Sequence, residues 1–228
     1  MTFKAELEQF RSTRAVTLAI VSGLAQEQMD YSPGAAKWSA GELVDHMLLA
    51  EKMYRDELTQ FIKLKRAGSE PVISRTFADM NVSIAYIPRS LLPFLDLPFT
   101  VFNMFVPNSV REFLMRNRLI PAQNPRAATP RKGRPASELR DELVSSLKET
   151  EELFVANSDL DYTEMIDRHP LMGANNALQL LRLLSFHEQR HQSQISEVLN
   201  NLKSVRSILR CEPGNRLTNR HGNQQMKR

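Results

Sequence analysis

"SFHEQRHQSQISEVL", residues Ser185–Leu199, places two histidines four residues apart inside an apolar helical period. Leu181, Leu184, His187, His191, Ile195, Val198 and Leu202 recur at spacings of three and four, which predicts a long amphipathic helix. On it His187 and His191 lie about 40° apart around the axis. Both fall on the apolar stripe and face the core, where unpaired imidazoles are costly to desolvate. The string also spells His-Glu-x-x-His, the signature of helix-borne zinc-protease sites.

A second helix starts upstream in "KWSAGELVDHM", Lys37–Met47. Ser39 is placed as N-cap and Glu42 as its reciprocal partner three residues on, a capping box. Trp38 and Leu43 occupy the positions of a hydrophobic staple. The stripe continues through Leu43, Met47, Ala50, Tyr54, Leu58 and Phe61, and His46 lies on it. Gly68 and Pro71 end this helix.

Working outward, residues 3–28 have the period of one further helix, followed by the turn "YSPG" at Tyr31–Gly34. Another helix is expected from about Ser137 to Asn157, with Leu139, Leu143, Leu147 and Phe154 on one face. "HPLMGANN", His169–Asn176, reads as a loop, and no alternating strand pattern is visible. The expected fold is all-α: a four-helix bundle over residues 1–205. Residues 72–134 interrupt it as a Pro-rich helical insertion between the second and third bundle helices. Its longest charge-free run, Leu97–Val110, is 14 residues and carries prolines, too short for a membrane span. The insertion is read as short helices packed on the body, covering a cleft or forming a dimer contact ahead of touching a membrane surface. A mobile basic tail is expected over residues 206–228.

Charge follows the same division. The formal net charge is +4, yet Arg111–Arg134 and Lys203–Arg228 each hold seven basic residues and one acidic, leaving −8 on the rest. Basic loops without interleaved aromatics or a recognition motif read as solvated segments, so nucleic acid is not an expected partner. The single cysteine, Cys211, excludes a disulfide framework and a cysteine zinc cluster. With no secretory signal in "MTFKAELEQF", the expected setting is cytoplasmic.

Spacing alone leaves two readings of His46, His187 and His191. They are hydrogen-bonded core histidines, or three imidazole ligands of a divalent metal with a position left open. The protease reading lacks its third ligand: Glu197 is about 240° around the helix from His191, and Glu212 lies in the tail. It also lacks an upstream edge strand. Glu188, about 100° from His187, is placed at a partly exposed rim. A carboxylate-bridged di-iron site needs a second Glu-x-x-His pair, and only Glu188-x-x-His191 is present.

Taken in order, "WSAGELVDHM", "HPLMG" and "HEQRHQSQI" resemble the DinB superfamily (DinB/YfiT-like). The resemblance runs from the first helix to about Leu202, insertion excluded. It implies an up-down-down-up bundle, often a homodimer, with His46, His187 and His191 at the family's metal positions and zinc or nickel as the ion. Characterised relatives include transferases that use a low-molecular-weight thiol and metal-dependent hydrolases. The implied function is a metal-dependent enzyme with a small-molecule substrate, the ion activating a thiol or water. Glu188 and His169 are candidates for proton transfer, though His169 is read first as capping or bracing the loop before the last helix. The alternative is a non-catalytic, metal-stapled stress or binding protein whose apolar insertion is the partner surface.

Overall fold

In a computed structural model of the chain, these periods fold into four long helices and a small sheet. The structure describes residues 3–76, 128–169 and 173–211, with Pro107, Ser109, Val110 and Phe113 between them. The elements are α1 (Phe3–Val21), α2 (Gln26–Asp30), α3 (Ala40–Arg66), β1 (Val72–Ser74), α4 (Ala136–Ala156), β2 (Ile166–His169), β3 (Gly173–Asn176) and α5 (Ala177–Cys211). Most of the insertion, including its apolar stretch, and the tail beyond Cys211 lie outside the described residues. Among the described residues no helix is long and apolar enough to cross a membrane.

The capping box forms as read. The Glu42 amide donates to Ser39 Oγ at 3.1 Å, and the Ser39 amide donates to Glu42 Oε2 at 2.9 Å. At the other end α3 stops at Arg66, and Gly68 takes a left-handed φ of 70°, a conformation that favours glycine. The first predicted helix is shorter than expected. It ends at Val21, and a turn through Ser22 and Gly23 leads into the short α2. Glycine weakens a helix interior, and the chain turns there while Leu24 still packs inward.

A second difference is the sheet. β1 runs parallel to β2, with Val72 opposite Ile166, and β2 runs antiparallel to β3, with His169 opposite Gly173. "HPLMGANN" is therefore not simply a loop: its ends belong to β2 and β3. Strands of three and four residues are too short to show a period of two. The sheet fixes the start of the insertion to the body, because the Ile166 amide donates to the Pro71 carbonyl and the Arg75 amide to that of Arg168, both at 2.9 Å.

α1 and α3 each pack against both α4 and α5. Two apolar clusters form the core. One holds Phe10, Leu58, Phe61, Phe154 and Leu181; the other holds Val21, Leu43, Met47, Leu139, Leu143 and Ile195. Along α1 and α5 the chain passes from the first cluster to the second; along α3 and α4 it passes the other way. The helices therefore form two oppositely directed pairs.

Between the clusters lies a buried polar layer centred on Arg14 of α1, which is fully buried. Its guanidinium donates to Glu51 of α3 at 2.9 Å, to both oxygens of Glu188 of α5 at 2.9 and 2.8 Å, and to the Leu143 carbonyl of α4 at 2.8 Å. Thr17 donates to Glu188 at 2.5 Å, and Ser146 and Thr150 each donate to Glu51 at 2.6 Å. Burial opposes the charge on Arg14, but Glu188 and Glu51 outweigh it and hold the guanidinium's pKa above its ordinary value. Removing one member of a buried ion network leaves an uncompensated charge. Arg14→Ala should lose about 3–5 kcal/mol of stability in urea denaturation; a loss below about 1 kcal/mol, the range of an exposed pair, would show the layer is not structural.

Candidate metal centre

His46 comes from α3, His187 and His191 from α5, two helices that pack on one another. The four-residue spacing stacks the α5 pair on one face, and the imidazoles meet edge to face with centroids 4.4 Å apart. His187 Nε2 lies 3.2 Å from His46 Nε2 and 3.1 Å from His191 Nε2. His46 and His191 are buried and His187 is half-buried.

Their outer nitrogens explain the orientation. His46 Nδ1 lies 2.7 Å from the Ala128 carbonyl, which can only accept, so Nδ1 carries the proton and Nε2 the lone pair. His191 Nδ1 has the Gln194 amide oxygen at 2.6 Å, which sets the same tautomer. His187 Nδ1 is buried with no hydrogen-bond partner among the described residues. Burial pushes the His187 pKa well below its ordinary value, and the neighbouring His191 and His46 push it further. His46 is lowered too, by burial against the opposing bond to Ala128. Both rings are thus held neutral, the state that binds a metal.

This donor set fits a divalent ion. At zinc–nitrogen bonds of 2.0–2.1 Å the edge of a tetrahedron is about 3.3 Å, near the 3.1 and 3.2 Å found. The ligand atoms of the three histidines all lie within 4.8 Å of one another, and no other residue joins them among the described residues. The carbonyl on His46 and the amide on His191 are the kind of outer partners that orient metal-binding imidazoles.

Comparison with protein families matches residues 9–195 to the DinB superfamily. The chain belongs to the DinB superfamily. The match takes in most of α1, all of α3 and α4, and α5 through Ile195, so all three histidines of this DinB protein lie within it. No match was found among curated proteins, and none among solved structures.

Glu188 is not where the sequence placed it. It is 2% exposed rather than at a rim, and its carboxylate points into the polar layer against Arg14 and Thr17. The carboxylate is thus held by a buried guanidinium and lies outside the histidine cluster. His169 also lies apart from the cluster. It ends β2 and is half-buried, and burial, with the charge of Arg75, lowers its pKa to about 4.

Residues that the sequence reading passed over complete the surroundings. Asp45, beside His46, accepts from the Arg131 amide at 2.7 Å, from the Arg131 side chain at 2.9 Å and from Arg134 at 2.8 Å. Arg134 also pairs with Glu138 and Glu142. The last residues of the insertion are therefore clamped at the site, and the two arginines read as solvated loop are structural. Burial works against the Asp45 charge, but the bonds from Arg131 and Arg134 prevail and hold its pKa below the usual range. Trp38, read from the sequence only as half of the hydrophobic staple, also packs against His46 with ring centroids 4.9 Å apart.

A second titrating group lies eleven residues, about 16 Å, further along α3. Glu57 and Asp167 are buried carboxyls sharing Arg75, at 2.6 and 3.4 Å. Burial, together with the charge of Asp167, raises the Glu57 pKa to about 7.

Two outcomes follow. Asp45→Asn should leave the helical content intact by circular dichroism but weaken divalent-metal binding about tenfold or more in competition with a chromogenic chelator; unchanged affinity would show that the clamp does not orient His46. The raised Glu57 pKa stabilises the fold at low pH and costs stability as pH rises from about 4.5 through about 7. Glu57→Gln should flatten that part of the stability–pH curve; an unchanged slope would contradict the assignment.

Proposed function

We propose that this DinB protein is a metal-dependent enzyme acting on a small molecule, with zinc or nickel held by His46, His187 and His191. One observation carries the reading: three Nε2 atoms converge at 3.1 and 3.2 Å while the Nδ1 atoms of His46 and His191 are already bonded elsewhere. With their Nδ1 protons taken up elsewhere, His46 and His191 both turn an Nε2 lone pair toward His187. Three protein ligands with a position left open suit a catalytic rather than a closed structural site.

A divalent ion there supplies a Lewis acid that lowers the pKa of a thiol or water. The chain does the rest. Ala128 and Gln194 hold two ligands in the binding tautomer, Trp38 shields one flank of His46, and Arg14 keeps the Glu188 carboxylate in the core. The reaction class is transfer to an electrophile from a low-molecular-weight thiol, or hydrolysis. The homodimer and the cytoplasmic setting expected from the sequence belong to the same reading.

Metal analysis of the purified protein should give about one divalent ion per chain, and His187→Ala should remove it. The loaded protein should then conjugate an electrophile with one of a panel of low-molecular-weight thiols, or hydrolyse simple amides or esters. No metal, or metal unaffected by His187→Ala, refutes the reading. Metal without either reaction leaves a non-catalytic, metal-stapled binding protein instead.

A further inference from the structure

The small sheet is joined to α3 by charge. Glu57 of α3 and Asp167 of β2 are both buried, and both pair with Arg75, the residue that follows β1. Glu57 Oε2 takes the Arg75 guanidinium at 2.6 Å. The other Glu57 oxygen, Oε1, is buried with no hydrogen-bond partner among the described residues, and so is Asp167 Oδ1. The two carboxyls lie within hydrogen-bonding reach of one another. Two ionised carboxylates so placed repel, and an orphaned buried acceptor costs free energy. One proton between them removes both penalties, because it turns one of the two acceptors into a donor.

The other titratable and charged groups around the pair leave it to set its own charge. On α3, Tyr54 lies about one turn before Glu57. Its hydroxyl donates to the Ala177 carbonyl, and burial holds its pKa well above the ordinary value, so it stays neutral. Tyr162, in the turn after α4, is pushed up to about 12 by burial. Glu6 of α1 is paired with Arg182 of α5. On β2, Arg168 is exposed, and His169, lowered to about 4 by burial and by Arg75, is neutral over most of the range in which carboxyls titrate. With one proton on the pair, a single carboxylate faces a single guanidinium. Without it, two carboxylates share that guanidinium in a buried place.

We propose that Glu57 and Asp167 hold a single proton between them, and that this proton latches β1 and β2 onto α3, so that its loss frees the sheet locally while the bundle stays folded. β1 is three residues long. Backbone bonds at its two ends hold it to β2, and Ile73 packs on the first apolar cluster. A strand so short has little stability of its own, and segments with few buried contacts open before the whole fold does. When the proton leaves for solvent, the two carboxylates part and take up water, and the ladder between β1 and β2 opens from the Arg75 end. The strand through which the chain enters the insertion is thus tied to the body more firmly in acid than in base. Because the proton is held more strongly in the closed form, opening becomes easier as pH rises. The opening constant climbs by up to about tenfold per pH unit between about 4.5 and about 7, then levels off.

Amide hydrogen exchange of the full chain, corrected for the pH dependence of the intrinsic rate, tests the latch. The Arg75 amide bonds to the Arg168 carbonyl and the Ile166 amide to that of Pro71. From about pH 5 to about pH 7 the protection of both should fall about tenfold or more, while amides of α1 and α4 keep theirs. Glu57→Gln keeps a donor toward Asp167 and cannot ionise, so its protection should not change with pH. Asp167→Asn removes the like charge and should flatten the dependence as well, so the outcome does not hang on one variant folding. At about pH 6 the infrared spectrum of wild type should contain the carbonyl stretch of a protonated carboxylic acid that Glu57→Gln lacks. Protection of the sheet amides that is constant with pH in wild type, loss of protection in α1 and α4 in parallel with the sheet, or absence of the acid band overturns the proposal.

Discussion

One buried cation ties the four long helices together. Arg14 of α1 reaches Glu51 on α3, Glu188 on α5 and the Leu143 carbonyl on α4. A charge of this kind is tolerated in a core only when every lone pair and proton has a partner, and here Thr17, Ser146 and Thr150 complete the set. The requirement is directional in a way that apolar packing is not. For Glu188 to reach Arg14, α5 must present one particular face. That rotation places His187 beside it and His191 one turn later, against His46.

The site therefore grows out of the polar layer rather than being cut into an apolar core. The layer separates two apolar clusters; on α5 His187 and His191 flank its Glu188, and on α3 His46 lies among the residues of the second cluster. The insertion takes part at both ends. Its start is tied to the sheet through β1, and its end returns to Asp45 and lends the Ala128 carbonyl to His46. A segment that interrupts the bundle in sequence thus supplies a contact that orients a ligand.

How much of this was legible in the sequence depended on range. The capping box at Ser39 and Glu42 spans three residues, and it formed as read. His187 and His191 share one helix, so their common face followed from spacing, and His46 could be added because its own stripe was equally clear. Glu188 was misread because its partner is 174 residues away, and nothing in "HEQRH" says that a guanidinium waits in α1. Arg131 and Arg134 looked like solvated loop because their partners lie on α3 and α4. Ala128 could not have been found at all, since its contribution is a backbone carbonyl. The strands were missed because they are short, and Gly23 broke the first helix where the apolar period alone ran on.

The central claim is that three imidazoles converge on one divalent ion. X-ray absorption at the edge of bound zinc or nickel tests it most directly. The account predicts three imidazole nitrogens at about 2.0–2.1 Å, with the remaining positions filled by light atoms. A shell with fewer than three imidazoles, or a protein that retains no divalent ion at all, would contradict it.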